Sequence, residues 1–206
     1  MIGELSEKGV HNGIKNYIDA NREHQEVKVG RFVADIKYEN RIYEIQTKNF
    51  KKLRAKLDYY FRNNYSVTVV YPLEVTRYIV RDYGKRKAVH TGVKQDILYE
   101  MYSLLDYLDN DLFTLQIIEV EVNDYRDSEN NKVKREIENI LGLVEYHNSK
   151  EFVEELVPFT EEFTKQDFMD LGVQRRKLNP LKGLLMHDYI KIVGKKGNQY
   201  LYQRKI

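Results

Sequence analysis

The 206-residue chain predicts an α/β fold with a mixed sheet over about residues 1–157, followed by a small helical module with a β-hairpin over 159–206. Three observations predict this. The first 75 residues follow a helix-hairpin-helix-strand order of hydrophobic periodicities. A further alternating strand covers Leu115–Val122. After Pro158, two short helical patterns precede two short strands.

Each element has its own signal. Leu5, Val10, Ile14, Tyr17 and Ile18 recur near helical spacing, so Ile2 to about Ala20 is a helix. Val27–Tyr38 is β-branched and aromatic, with Phe32, Ala34 and Ile36 alternating against Val33, Asp35 and Lys37. Glu39-Asn40 makes the turn into a second strand, Arg41–Lys48. There Tyr43, Ile45 and Thr47 share one face and Glu44, Gln46 and Lys48 the other. Asn49 is placed to cap a helix over Phe50 to Asn63. Ser66–Tyr71 has the nearly unbroken apolar character of a strand buried on both faces, and it is expected to stop at Pro72. Arg77–Arg81 suits a strand, Asp82–Lys87 a charged turn, and Gln95–Leu108 a helix. Asp124–Lys134 reads as an exposed loop and Val133–Leu143 as a short helix, with Pro158 a domain boundary after a charged stretch.

Composition limits the function classes. There is no Cys, which excludes disulfides, thiolate zinc sites and Cys nucleophiles and agrees with a reducing cytoplasm. No apolar run reaches the ~20 residues of a membrane span, and MIGELSEKG lacks the pattern of a secretory signal, so no membrane partner is expected. The sequence has no Gly-rich phosphate loop, no nucleophile elbow and no zinc-type His cluster. The net charge of +2 is unevenly divided. Residues 159–206 carry ten basic and five acidic groups, a net of +5, and the remainder carries 24 basic and 27 acidic groups, a net of −3. A basic appendage on a mildly acidic domain suits a polyanion-binding module.

In that appendage Thr164, with Asp167 three residues on, forms a capping box for a helix over Lys165–Leu171. Gly172-Val173 supplies a sharp turn. A second helix runs from Gln174 to about His187, with Asn179-Pro180 kinking it or restarting it near Leu181. Tyr189–Val193 and Gln199–Gln203 flank a GKKGN turn. The order is similar to a winged helix-turn-helix, which implies duplex DNA as partner. Gln174, Arg175, Arg176 and Lys177 would then open the recognition helix, and Lys195 and Lys196 would reach phosphates from the wing. A winged helix serving protein contact or dimerisation is the alternative.

The chemistry-bearing pattern is Asp35 opposite Gln46-Thr47-Lys48 on a neighbouring strand. A carboxylate and an amide carbonyl are oxygen ligands suited to Mg²⁺ or Mn²⁺, and a lysine beside them can offset charge on a scissile phosphate. The pattern resembles the PD-(D/E)XK, restriction-endonuclease-like nuclease superfamily in its Gln-x-Lys variant, over about residues 1–75. The resemblance implies that Asp35 and Gln46 hold the metal, that Lys48 is the catalytic lysine, and that Glu7 of the first helix (or Glu4) completes the shell. Glu44, two residues before Gln46 on the same face, is the alternative second ligand. His11, on the same helix face as Glu7, is either an ordinary helix residue or a phosphate contact. The whole face can also be a solvated hairpin surface. The expectation is a metal-dependent DNA endonuclease, a homodimer being compatible with it, against a non-catalytic DNA-binding regulator.

Overall fold

A computed structural model describes residues 2–81, 84, 86–126, 133–174 and 181–205, with the side chains of 2–8, 90 and 91 outside that description. The protein is a mixed α/β structure. Among the described residues seven strands form one sheet of mixed orientation, with helices on both faces, and two further strands form a separate hairpin.

Helix α1 (Ile2–Ile18) turns Val10 and Ile14 toward the sheet, one helical turn apart. The run expected as one strand over Val27–Tyr38 is two, β1 (Gln25–Val29) and β2 (Phe32–Tyr38), because Gly30 turns the chain at φ 60°. Strand β3 (Arg41–Ile45) pairs antiparallel with β2, completing a three-strand meander. It ends at Ile45, so Gln46–Lys48 lie beyond the strand rather than along one face of it. Asn49 precedes a 3-10 turn (Phe50–Leu53) and α2 (Arg54–Arg62), but it is left-handed at φ 58° and caps with no side-chain hydrogen bond.

Strand β4 (Ser66–Arg81) runs parallel to β3 and does not stop at Pro72. Its pairing with β3 ends at Val70 and its pairing with β5 (Arg86–Thr91) starts at Thr76. Pro72 therefore sits between two partners on that edge, where its missing N–H breaks no ladder bond. Arg86 and Lys87, expected in a turn, open β5. The expected helix over Gln95–Leu108 is broken into α3 (Ile97–Met101) and flanking 3-10 turns. Strand β6 (Phe113–Arg126) lies parallel to β4, and β7 (Val133–Tyr146) antiparallel to β6. The helix expected at Val133–Leu143 is thus an edge strand, and the charged stretch before Pro158 lies in α4 (Ser149–Leu156), capped by Asn148.

Beyond Pro158, α5 (Lys165–Asp170) carries the Thr164–Asp167 capping box, and Gly172 turns the chain at φ 96°. Helix α6 (Leu181–Met186) follows, then β8 (Ile190–Lys196) and β9 (Gln199–Arg204). Arg175, Arg176 and Lys177 lie outside the described residues.

Two apolar layers hold the sheet. On one face Val10 and Ile14 of α1 meet Ile36, Ile45, Val70, Ile118, Val120 and Val122. On the other, Phe50, Leu53, Leu57 and Tyr60 pack on Ile42, Val67, Val69, Leu115 and Ile117. Each such buried side chain contributes about 1.5–3 kcal/mol. The second layer continues without a break into Phe163, Phe168, Leu181, Leu184, Ile190 and Tyr202. Tyr189 Oη also donates to the Leu105 carbonyl at 3.2 Å.

Candidate active site

The site forms where β2 and β3 part. Their pairing runs from Tyr38–Arg41 to Ile36–Tyr43 and goes no further, while β3 continues beside β4 to Ile45. In the fork the Asp35 carboxylate replaces a backbone partner and accepts the Ile45 N–H at 2.8 Å. Asp35 is thereby reached from both faces of the sheet. His11 of α1 approaches it from one side, Nε2 to Oδ2 at 3.2 Å. One turn on, Lys15 is buried and paired with Glu26 of β1, so α1 presents two polar side chains to the open end of the meander.

Glu44 enters from the α2 face. Only 2% of it is exposed. Lys56 of α2 stands 2.7 and 3.0 Å from its two oxygens and also donates to the Val33 carbonyl at 2.7 Å. Tyr60, one turn further along α2, donates to Glu44 at 3.0 Å. A polar cluster so deep in a sheet is costly unless paired, and Glu44 is paired through both oxygens.

The two carboxyls ionise differently. Burial raises the Asp35 pKa, but the hydrogen bond and charge of His11, the Ile45 N–H and the Lys56 charge outweigh it, holding Asp35 below the usual carboxylate range. Burial, then repulsion from Asp35, pushes Glu44 up to about 7, against the opposing pull of Lys56 and Tyr60. Burial and the neighbouring Glu44 carboxyl raise the Tyr60 phenol, keeping it a proton donor. The pair is one carboxylate fixed as an anion and one poised near neutrality, a pattern that acid–base and metal sites share with some structural polar clusters.

The residues expected from sequence divide accordingly. Asp35 and Glu44 come together. Gln46 does not join them, since its side-chain amide donates back to the Lys48 carbonyl and its backbone N–H goes to Val70 at 2.9 Å. Lys48 is exposed in the turn after β3, and Asn49 at the end of that turn donates its N–H to Glu100 at 2.6 Å. Glu7 lies in α1, but its side chain, like that of Glu4, falls outside the described residues. Lys56 and Tyr60 were missed. Their only sequence signal was the i, i+4 spacing that puts both beside Leu53 and Leu57 on the buried stripe of α2. Among the described residues no group of three or more His, Cys, Asp or Glu is placed to hold a metal ion.

In the C-terminal module Gln174 is exposed after the Gly172 turn. Lys195 and Lys196 end β8 rather than occupying the turn. The Lys195 ammonium lies 5.2 Å from the Tyr200 ring centre, and Lys196 borders a hollow lined by Glu162 and Asp167. Among the described residues no helix is long and apolar enough to cross a membrane.

No curated protein and no solved structure matches the chain. The family model of DUF8091, a domain of unknown function, matches residues 8–168, from α1 through the whole sheet and into α5, and the chain belongs to that family.

Proposed function

We propose that the protein is a metal-dependent nuclease hydrolysing phosphodiester bonds in DNA, with Asp35 and Glu44 as its metal-holding carboxylates. The observation that carries this reading is the placement of those two carboxyls on adjacent strands where β2 and β3 part, close enough to repel each other, with the Lys56 ammonium hydrogen-bonded to Glu44. The order of α1, a three-strand meander, α2 and a strand parallel to β3 supports it, since a restriction-endonuclease-like core is built in that order.

The donors fit Mg²⁺ or Mn²⁺. Such ions take carboxylate oxygens and leave most of their shell to water and substrate phosphate, so two carboxyls suffice. Asp35 repulsion is part of what raises Glu44 to about 7, and a cation held by these carboxyls would offset that repulsion. When bound, the ion supplies Lewis-acid polarisation of the phosphate and a more acidic water. Asp35 anchors as the fixed anion, oriented by His11 and the Ile45 N–H. Lys56, in place of Lys48, offsets the charge that grows on the phosphate oxygens. Glu44 takes the second-ligand role assigned to Gln46, because Gln46 is turned back on its own loop.

The two short helices α5 and α6 followed by a hairpin, with the basic run Arg175–Lys177 in the sequence between the helices, support duplex DNA as the substrate. A second reading, duplex binding without cleavage, draws on the fact that both Glu44 oxygens already have partners in Lys56 and Tyr60. Incubating supercoiled plasmid with the protein separates the two. Nicking or linearisation with Mg²⁺ or Mn²⁺, lost with EDTA and in Asp35→Ala, supports the nuclease. Metal titrations without heat, together with gel shifts on uncut duplex, leave the binding protein.

A further inference from the structure

Beside the site lies a cleft of about 580 Å³, in the size range of small-ligand pockets (roughly 300–1,000 Å³). One wall is the end of the site's own loop, Asn49 to Lys51; the others come from α3 and its following turn, and from Lys182 of α6. Phe50 forms an apolar floor, 1% exposed and edge-on to Tyr71 at 5.9 Å. Tyr99 and Tyr102 remain 49% and 45% exposed, unusually open for two large aromatic side chains in a concave surface. Tyr102 is held in place. It rests on Gly183, where a Cβ would stand 2.5 Å from ring atom Cδ2. The cleft thus combines two accessible aromatic rings, one of them braced from behind, with the ammonium groups of Lys51 and Lys182. Its acid, Glu100, accepts the Asn49 N–H at 2.6 Å.

We propose that this cleft binds single-stranded nucleic acid, with an unpaired base stacked on Tyr99 and Tyr102 and its phosphates held by Lys51 and Lys182. The inference deepens the nuclease reading and rests on it for the identity of the polymer. Exposed rings flanked by lysines are the elements of a strand-binding platform, since every unpaired base offers a π face and every nucleotide a phosphate. A duplex hides those faces within its stack, so the aromatic pair selects an unpaired or splayed nucleotide. The cleft shares Asn49 with the loop that leaves β3, the strand that carries Glu44.

The test titrates the full-length protein into a fluorescein-labelled oligothymidylate of about twelve nucleotides, read by anisotropy, alongside a blunt duplex. The wild type is expected to bind the oligonucleotide. Tyr99→Ala and Tyr102→Ala should each weaken that binding by about tenfold or more, while Tyr102→Phe, which keeps the ring, should not. Lys182→Glu, at an exposed position on α6, should weaken it and flatten its salt dependence. No binding by the wild type, or unchanged binding by both alanine variants, overturns the proposal. Asp35→Asn keeps the two readings apart. It should bind the oligonucleotide as the wild type does while losing any metal-dependent cutting; binding by the wild type with no metal-dependent cutting leaves the cleft and removes the nuclease. Cutting that the tyrosine variants do not alter, with their binding intact, removes the cleft alone.

Discussion

Lys56 and Glu44 are bound to each other across the interface between α2 and the sheet, 2.7 Å apart at the closer oxygen, with the carboxyl 98% shielded from solvent. Removing only the cation strands a buried carboxyl. Lys56→Met is therefore expected to lower unfolding stability by about 3 kcal/mol in urea titrations. The double variant Glu44→Gln/Lys56→Met should recover most of that loss, since neither position then holds a charge. A single-variant cost below about 1 kcal/mol would mean that the pair is solvated, as surface ion pairs are.

The raised Glu44 carboxyl fixes a direction of pH dependence. Between its ordinary value of 4.5 and about 7, the unfolded chain has released a proton that the folded chain retains. Stability from this group is present at low pH and falls as pH rises through that window. Asp35 acts oppositely. Its lowered value adds stability above 3.8 that is lost on acidification below it. Glu44→Gln should therefore lose less stability than the wild type between pH 5 and pH 7, measured as urea midpoints in matched buffers. Equal losses in both proteins would remove Glu44 as the cause.

Helix α1 lies so close to β7 that a Cβ at Gly9 would overlap the Arg135 carbonyl oxygen, and one at Gly13 would stand 2.9 Å from Ile137 Cδ1. Alanine is the better helix former by about 1 kcal/mol, so on propensity alone Gly9→Ala would stabilise. The backbone collision is expected to win, because overpacking costs roughly 1–3 kcal/mol and a carbonyl cannot rotate away. A lowered melting temperature for Gly9→Ala checks this, and a raised one would mean that α1 sits further from the sheet in solution.

Much of the framework was legible in the sequence. The leading helix, the β2–β3 hairpin, α2 and the strand after it, the Thr164–Asp167 capping box and the Gly172 turn all rest on local rules, namely periodicity, alternation, capping and positive φ. Val133–Leu143 was misread as a helix because β7 carries two bulges. They set Ile137 and Ile140 three residues apart yet against the same apolar layer, a spacing that imitates a helix. Pro72 was read as a strand end because nothing local reveals that its edge has no partner there. At the candidate site Asp35 was legible from strand alternation, but the end of β3 at Ile45 was not, and that end leaves Glu44 in the strand and Gln46 in the loop beyond it. Lys56 was hidden because a lysine on a helix is ordinary, and only the tertiary approach of α2 to β3 gives it a carboxyl to meet.

The apolar layer under α2 runs into the C-terminal helices and hairpin, and Tyr189 and Arg204 fasten that module to the carbonyls of Leu105 and Glu154. The two regions meet as a packed interior, with Leu184 and Tyr202 sharing neighbours with the residues that floor the sheet. If the C-terminal module grips a polymer as proposed, this shared interior holds it at a set offset from the Asp35–Glu44 fork, as an anvil sits at a fixed reach from its vice. Changes that loosen Leu184 or Tyr202 would blur that reach before they touched either surface.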